Sequence, residues 1–297
     1  MGTIFRSVEI KTLKISRSFM STLYILAGPT ASGKTELSLQ LAQRNNCEII
    51  SCDASSFYRG MDIGTAKPTK AEQCCVKHWG IDIVDPDETF SIKDYVLLSQ
   101  EWVNDIISRG KNVLVVGGSG FYLNSFLTPV VDDISVSDDI VSYVDGLEKL
   151  GGFEKLLEEL AKCNKKFPNN FDVKNPRKVK KALIRCLATG KSLVDLLNDF
   201  VTQTPPFPQL SKKVYEIVCP VEILKQRIIV RIEKMMKEGL LEEVKGLLDG
   251  KMIIPGTPAA LAIGYRETIA YLNQPFSLQI LEKQIVENTY MLAKKQM

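Results

Sequence analysis

Hydrophobic residues along this chain form short apolar runs separated by longer stretches with helical spacing. Residues 23–27 are an apolar run that ends at Gly28 and Pro29, and a helical stretch at residues 34–44 follows. Similar runs predict four more strands, at residues 48–52, 81–84, 112–116 and 214–219, with a helix at residues 92–108 before the fourth strand in chain order. Strands that alternate with helices predict an α/β fold, in which helices flank a parallel sheet.

A different pattern fills residues 129–208. Strand signals are absent there, and periodic leucines and isoleucines mix with many lysines, as at residues 153–160. The proline-rich residues 204–208 resemble a linker back to the sheet. We therefore expect a core of residues 21–128 and 209–297, interrupted by a mostly helical inserted domain at 129–208.

Composition narrows the class of protein. The chain has 297 residues, is 45% hydrophobic and 25% charged, and contains no apolar run near the ~20 residues that a membrane helix needs. We therefore expect no membrane contact, and the seven cysteines, which show no C-x-x-C spacing, favour reduced thiols in a cytoplasmic protein. Residues 1–20 lack the long apolar segment of a secretory signal, so we interpret them as a tail or a misassigned start, with a transit peptide as the alternative.

The first chemical motif lies where the first strand gives way to a helix. The residues of this motif, which fits G-x-x-x-x-G-K-S/T, are Gly28, Pro29, Thr30, Ala31, Ser32, Gly33, Lys34 and Thr35. In such a P-loop, successive N–H groups and a helix N-terminus cradle phosphate, the lysine adds a charge and the threonine hydroxyl can bind Mg²⁺. This context disfavours a glycine-rich turn without a ligand. The motif predicts a P-loop NTPase-like core and a phosphate ligand, but does not specify the compound.

Three further residues are candidates for the same site. Asp53 follows the second strand, and the carboxyl ends of parallel strands face the ligand crevice. A helix N-cap is the alternative role for this aspartate. Arg227 and Arg231 are four residues apart on a predicted helix, so both guanidiniums can reach phosphate from one side. The alternative is a solvated helix face, and Arg231 is the better candidate of the two.

Positive charge concentrates in the predicted insertion. Although the net charge is only +3, residues 174–185 are rich in lysine and arginine, including Arg177, Lys178 and Lys181. Such a cluster is typical of a surface that binds the phosphate backbone of a nucleic acid. A solvated lysine-rich helix face is the alternative interpretation.

The stretch S-C-D-A-S-S-F-Y-R-G-M-D-I-G-T-A-K-P at residues 51–68, together with the P-loop, closely resembles the bacterial-type tRNA dimethylallyltransferases, also called tRNA isopentenyltransferases. Further matches are H-W-G-I-D-I at residues 78–83, G-G-S-G-F-Y at 117–122, G-L-L-E-E-V at 239–244 and A-I-G-Y-R at 262–266. P-loop kinases share the first motif but not the M-D-I-G-T-A-K-P pattern. The resemblance extends from Leu23 to the end of the chain.

This resemblance implies an enzyme that transfers a dimethylallyl group from dimethylallyl diphosphate to N6 of adenosine 37, beside the anticodon of tRNAs that read codons starting with U. It implies Mg²⁺ as cofactor with Thr35 as metal ligand, Asp53 as general base, Ser119 near the leaving group, and Arg231 as a catalytic residue beside the phosphate-binding Arg227. We expect a monomer that binds the tRNA anticodon stem-loop. The implied tRNA contacts are Asp53, Ala54, Ser55, Ser56, Ser119, Val141, Arg177, Lys178 and Lys181.

Some positions depart from the family pattern. Lys178 and Lys181 stand where the family has arginines, Val141 where it has another arginine, and residues 290–297 match only part of its C-terminal motif. His78, the single histidine, is expected to have a structural role. Two alternative functions stay open: a small-molecule P-loop kinase, and a diverged tRNA-binding homologue with reduced activity.

Overall fold

The computed structural model describes residues 21–118, 120–132 and 134–297. The described chain divides into two compact units, which we call the core unit, residues 21–124 together with 207–297, and the helical unit, residues 125–206. The sequence pattern placed these boundaries at 128/129 and 208/209. The predicted tail at residues 1–20 and the predicted site residue Ser119 lie outside the described residues.

The core unit is built on a five-stranded parallel sheet with the strand order β3-β2-β4-β1-β5. The strands are β1 (Thr22–Ala27), β2 (Cys47–Ser51), β3 (His78–Trp79), β4 (Asn112–Gly117) and β5 (Ser211–Glu216). Leu23, Ile50 and Val113 in the three central strands are completely buried. A parallel sheet with flanking helices confirms the predicted fold class.

Local sequence signals mark the start of several helices. Ser91 and Asp94 form a reciprocal capping box at the start of α3, and Gly33, the residue before α1, adopts a left-handed backbone conformation. In chain order the helices are α1 (Lys34–Arg44), α2 (Lys70–Cys75), α3 (Ile92–Ser108), α4 (Gly120–Asn124), α5 (Asp138–Lys162), α6 (Pro176–Thr189), α7 (Leu193–Val201), α8 (Val221–Glu238), α9 (Leu240–Asp249), α10 (Tyr265–Asn273) and α11 (Leu278–Gln296).

Two edge strands differ from the prediction. The third strand is His78–Trp79, not residues 81–84, because Gly80 and Asp82 have φ of +74° and +55° and turn the chain out of the extended conformation. Val84 keeps only an isolated bridge to Tyr58. The fifth strand lies three residues earlier than predicted because its register is set by pairing with β1, from Thr22 opposite Ser211 onward.

The helical unit has its own apolar core. Helix α5 is interrupted at Gly152, whose φ of 61° and ψ of −153° are not helical. The apolar faces of α5, α6 and α7 supply Val144, Leu147, Leu156, Leu160, Val179, Ala182, Leu183, Cys186, Leu193 and Leu196. Among the helices of the described residues, none combines the length and the hydropathy needed to cross a membrane.

Candidate active site

The loop between β1 and α1 folds as a tight turn at a helix N-terminus. The Ser32 N–H donates to the Pro29 carbonyl at 3.2 Å, while Ala31 and Gly33 adopt left-handed conformations with φ of 62° and 94°. A Cβ atom at Gly28 would lie 3.1 Å from Ile217 Cβ and 3.1 Å from Ser32 Oγ, so the close packing of the loop favours glycine there. The loop therefore has the strand-turn-helix context that phosphate binding needs.

Lys34 is held inside this loop. Its Nζ donates to the carbonyl oxygens of Gly28 and Pro29, both at 2.7 Å. Burial lowers the pKa of Lys34 to about 8, although the Asp53 carboxylate acts in the opposite direction, and Arg231 lowers this pKa further. Because its positive charge is only partly compensated, the ammonium is suited to an anionic ligand. Thr35, the next residue, is exposed at the start of α1.

Two arginines of α8 reach the loop from one side. Arg227 Nη1 donates to the Ser32 carbonyl at 2.9 Å, and Arg231 Nη2 donates to the Thr65 carbonyl at 3.0 Å. The Nε of Arg231 and the hydroxyl of Ser32 are buried without a hydrogen-bond partner among the described residues. Burial also lowers the pKa of Arg231, an effect that Asp53 opposes. Since an unpaired buried donor is costly, the Arg231 guanidinium, which lines both cavities described below, is suited to an anion.

Asp53 caps a short 3-10 helix and still faces the cavity. Its Oδ1 accepts the Ser55 N–H at 3.0 Å at the start of the helix Ala54–Phe57. Among the described residues Oδ2 has no hydrogen-bond partner, and the side chain is exposed. The capping role and the crevice position were alternatives in the sequence, but the structure combines them in one residue.

These groups surround two adjoining cavities of the core unit, of about 460 and 100 Å³. Both are lined by Thr30, Asp53, Thr65, Gly118, Arg231 and Gln296. The larger one also contains Lys34, Thr35, Ser56 and Arg227, and the smaller one Ser55. The structure therefore brings the predicted P-loop, Asp53 and both arginines to one crevice, with Ala54 in the adjoining 3-10 helix.

Thr65, Gly118 and Gln296 line both cavities but were not predicted as site residues. Gln296 Oε1 accepts the Thr30 N–H at 2.8 Å, and a Cβ atom on Gly118 would lie 2.7 Å from Gln296 Nε2. Thr65 contributes its carbonyl to Arg231. The sequence pointed to two of these residues only indirectly, because Thr65 and Gly118 belong to the stretches at residues 51–68 and 117–122 that carry the family resemblance.

His78 also lines the larger cavity, but its ring is held by the backbone. Its Nδ1 lies 2.8 Å from the Val76 carbonyl, so this nitrogen carries the hydrogen, and burial lowers the pKa of the imidazole. This contact agrees with the structural role expected for the single histidine.

The predicted cationic surface of the helical unit consists of fewer residues than the sequence indicates. Lys180 is bound to Asp145 and Glu148, and Arg185 pairs with Asp132. Four cations of this region are exposed and form no ion pair among the described residues, namely Lys174, Arg177, Lys178 and Lys181. Val141 is 37% exposed in the first turn of α5.

Metal binding would have to depend on few protein ligands. Among the described residues there is no group of three or more histidine, cysteine, aspartate or glutamate side chains that could hold an ion. The cavity does contain the Thr35 hydroxyl and the Asp53 carboxylate. The Thr35 hydroxyl fits Mg²⁺, which typically uses one or two protein oxygens and completes its shell with phosphate oxygens and water.

The fold and crevice define a protein with a P-loop-like core, and comparison with known proteins narrows its class. The model of the IPP transferase family matches residues 56–297. A tRNA dimethylallyltransferase of Opitutus terrae is 42% identical over 92% of this chain and 88% of its own, and one of Leuconostoc mesenteroides is 36% identical over 94% and 89%. This chain belongs to the IPP transferase family.

Solved structures agree with this assignment. The chain resembles the tRNA isopentenylpyrophosphate transferase of Bacillus halodurans, with a TM-score of 0.64 and 32% identity over 93% of this chain and 85% of that one. A eukaryotic dimethylallyltransferase acting on tRNA has a TM-score of 0.81 at 24% identity, covering 93% of this chain and 69% of that one, and supports the fold alone.

Proposed function

We propose that this protein transfers a dimethylallyl group from dimethylallyl diphosphate to N6 of adenosine 37 in tRNAs that read codons starting with U. The observation that carries the proposal is the buried Arg231, whose Nε has no partner among the described residues and which shares a cavity with the P-loop and Asp53. A diphosphate in this cavity would accept hydrogen bonds from the Arg231 guanidinium. Family membership favours this transferase over a small-molecule kinase.

The diphosphate of the donor would bind between the P-loop and α8. Lys34 donates to two carbonyls of the P-loop, and the two arginines of α8 donate to the carbonyls of Ser32 and Thr65. Each cation is therefore oriented by the protein before the ligand binds. Preorganised positive charge stabilises the negative charge that develops on diphosphate as the allylic C–O bond breaks. The P-loop N–H groups add dipoles that favour the same anion. These residues would therefore both hold the donor and assist the departure of diphosphate.

Asp53 would act as the general base on the adenine amine. The Ser55 N–H fixes Oδ1, which leaves Oδ2 to accept a hydrogen from N6 as the new C–N bond forms. The adjoining Ala54, Ser55 and Ser56 would contact the tRNA next to the target base. The expected role of the Ser119 hydroxyl near the leaving group remains a prediction.

Mg²⁺ is the cofactor that the donor set suits. When bound, it would neutralise charge on the diphosphate oxygens and so make diphosphate a better leaving group. The Thr35 hydroxyl would hold it, with the Asp53 carboxylate nearby in the same cavity.

The helical unit would bind the anticodon stem-loop. Arg177, Lys178 and Lys181 on α6 and the preceding Lys174 are exposed and unpaired among the described residues, so they are available to phosphates of the tRNA. We include Val141, on the exposed first turn of α5, in this surface. Because the crevice is formed by residues of one chain, we propose that the protein acts as a monomer. Its seven free cysteines are consistent with action in the cytoplasm.

Incubation with labelled dimethylallyl diphosphate and a tRNA that carries A36 and A37 tests the proposal. We expect Mg²⁺-dependent transfer of label to tRNA by the wild-type protein. Asp53→Asn is the matched control, because asparagine keeps the 3-10 cap but is not a base, so it should transfer much less. Binding of both substrates without transfer of label would favour a diverged tRNA-binding homologue.

A further inference from the structure

One carboxylate of α9 holds a loop of the crevice by its backbone. Glu243 Oε2 accepts the N–H groups of Asp62 and Ile63 at 2.9 and 2.7 Å, and Oε1 accepts the N–H of Gly64 at 3.1 Å. Three successive N–H groups thus converge on one side chain that is about 180 residues away in the sequence. Such charge-assisted hydrogen bonds are stronger than those between neutral groups. We call residues 62–65 the anchored loop.

Tyr265 of α10 completes this arrangement. Its hydroxyl donates to Glu243 Oε1 at 2.6 Å, and a Cβ atom on Gly64 would lie only 2.5 Å from the Tyr265 ring. The ring is fully buried. Burial and the Glu243 carboxylate raise the pKa of Tyr265, which keeps its hydroxyl protonated as a donor. Glycine at position 64 therefore allows the loop to pack directly on the tyrosine.

The anchored loop ends at the residue that positions the buried arginine. Thr65 is 7% exposed, its hydroxyl donates to the Met61 carbonyl at 2.6 Å, and its own carbonyl accepts from Arg231 Nη2. Gly64 and Thr65 line the smaller cavity with Asp53 and Arg231. A continuous chain of contacts thus leads from Glu243 through the loop backbone to the guanidinium in the crevice.

We propose that Glu243 is a positioning residue, which fixes the anchored loop and, through the Thr65 carbonyl, the orientation of the Arg231 guanidinium toward the donor diphosphate. The role of Arg231 in this inference rests on the proposed function. Glu243 itself does not line either cavity. Its effect on substrate is therefore transmitted by the loop.

The chemistry of the contact requires a carboxylate and not an amide. Each oxygen of Glu243 faces at least one backbone N–H, and a carboxylate offers acceptors only. In Glu243→Gln, whichever way the amide is turned, its NH₂ group faces a backbone N–H donor. The substitution keeps the size of the side chain while releasing part of the loop.

Glu242 provides a matched control. It lies beside Glu243 in the first turn of α9, so Glu242→Gln removes the same charge from the same helix N-terminus. Among the described residues, however, its carboxylate has no hydrogen bond to the anchored loop. A difference between the two variants therefore reports the contacts of Glu243 with the anchored loop and with Tyr265.

A double-mutant cycle between Glu243 and Arg231 tests the inference. Affinity for inorganic diphosphate with Mg²⁺ is measured by calorimetry for wild type, Glu243→Gln, Arg231→Ala and the double variant, with Glu242→Gln as control. We expect Glu243→Gln to weaken binding by about tenfold, Glu242→Gln by less than about twofold, and the double variant to bind like Arg231→Ala alone. Because this probe does not require prenyl transfer, the cycle gives an answer even if the proposed reaction fails.

Melting temperatures of all variants are recorded in parallel. Should Glu243→Gln unfold at the assay temperature, Tyr265→Phe takes its place in the cycle, because it removes one donor and leaves the three backbone contacts. For that variant we expect about a twofold loss that disappears in the Arg231→Ala background. Equal losses in Glu242→Gln and Glu243→Gln, or a loss that persists fully without Arg231, would overturn the inference.

Discussion

At the scale of single residues, the crevice shows how one side chain can serve structure and chemistry together. Asp53 uses one carboxylate oxygen to cap the helix Ala54–Phe57 and exposes the other to the cavity. A cap holds the carboxylate in a fixed orientation, which a general base also needs. The two functions can be separated by substitution, since asparagine can cap a helix but cannot take a proton.

We therefore predict that Asp53→Ala and Asp53→Asn both lower turnover by about 10²–10⁴-fold, while the affinity for dimethylallyl diphosphate stays nearly unchanged. Only the alanine variant should also lose stability, by about 1 kcal/mol, because it removes the cap. Steady-state kinetics, donor titration and thermal unfolding measure the three quantities. A large loss of donor affinity with little loss of turnover would instead make Asp53 a ligand of phosphate or metal.

Lys34 should make donor binding depend on pH. Its pKa of about 8 lies below the ordinary lysine value because the ammonium is buried, and an anionic donor would favour the charged form. Above pH 8 the free protein must therefore take up a proton to bind, so affinity should fall by up to about tenfold per pH unit. Calorimetry with dimethylallyl diphosphate between pH 7 and 9.5 measures this. Lys34→Arg keeps its charge over the whole range and should show no such decline; the same decline in both proteins would assign the titration to another group.

At the scale of elements, local signals in the sequence located some helices and strands better than others. Helices α1 and α3 coincide with the predicted stretches because glycine or a capping box marks where each begins. The edge strands β3 and β5 do not coincide, since their positions depend on partners in the sheet and on positive φ angles at Gly80 and Asp82. An apolar run alone does not distinguish a paired strand from a bent segment beside it.

Helix α6 presents cations on one face and buries Val179, Ala182 and Leu183 on the other. If the exposed cations bind tRNA phosphates, neutralising Lys178 and Lys181 together should weaken tRNA binding and reduce its log–log salt slope by about 0.9 per lost contact. Donor affinity and melting temperature should barely change, since both side chains are exposed. Titrations of tRNA across a salt series measure the slope.

Neutralising Lys155 and Lys162 is the matched control for that experiment. These two lysines belong to the same helical unit but form ion pairs with Glu158 and Glu159. Replacing them changes the net charge by the same amount as replacing Lys178 and Lys181. The salt slope of tRNA binding by this control variant should stay close to the wild-type value. Equal slopes for wild type and the Lys178 and Lys181 variant would show that this face is only solvated.

At the scale of the whole molecule, the sequence predicted the fold class and the family, and both are confirmed. It predicted the local parts of the crevice, because the P-loop and Asp53 directly follow strands. It did not predict the contact of Gln296 with Thr30, whose partners are 266 positions apart in the sequence. It also did not predict the contact of Glu243 with the anchored loop, whose partners are about 180 positions apart. Such pairs depend on how α8 to α11 pack, and no local pattern encodes that packing.

On the proposed function, this crevice prenylates one adenine of tRNA. The most direct measurement is a single-turnover reaction with labelled dimethylallyl diphosphate and Mg²⁺, followed by nucleoside analysis of the tRNA. A tRNA with guanosine at position 37 serves as the matched substrate control. We predict that label appears on N6 of adenosine 37 and is absent from the guanosine substrate. Label at other adenosines, or its release as free prenyl alcohol while the tRNA stays unmodified, would contradict the account.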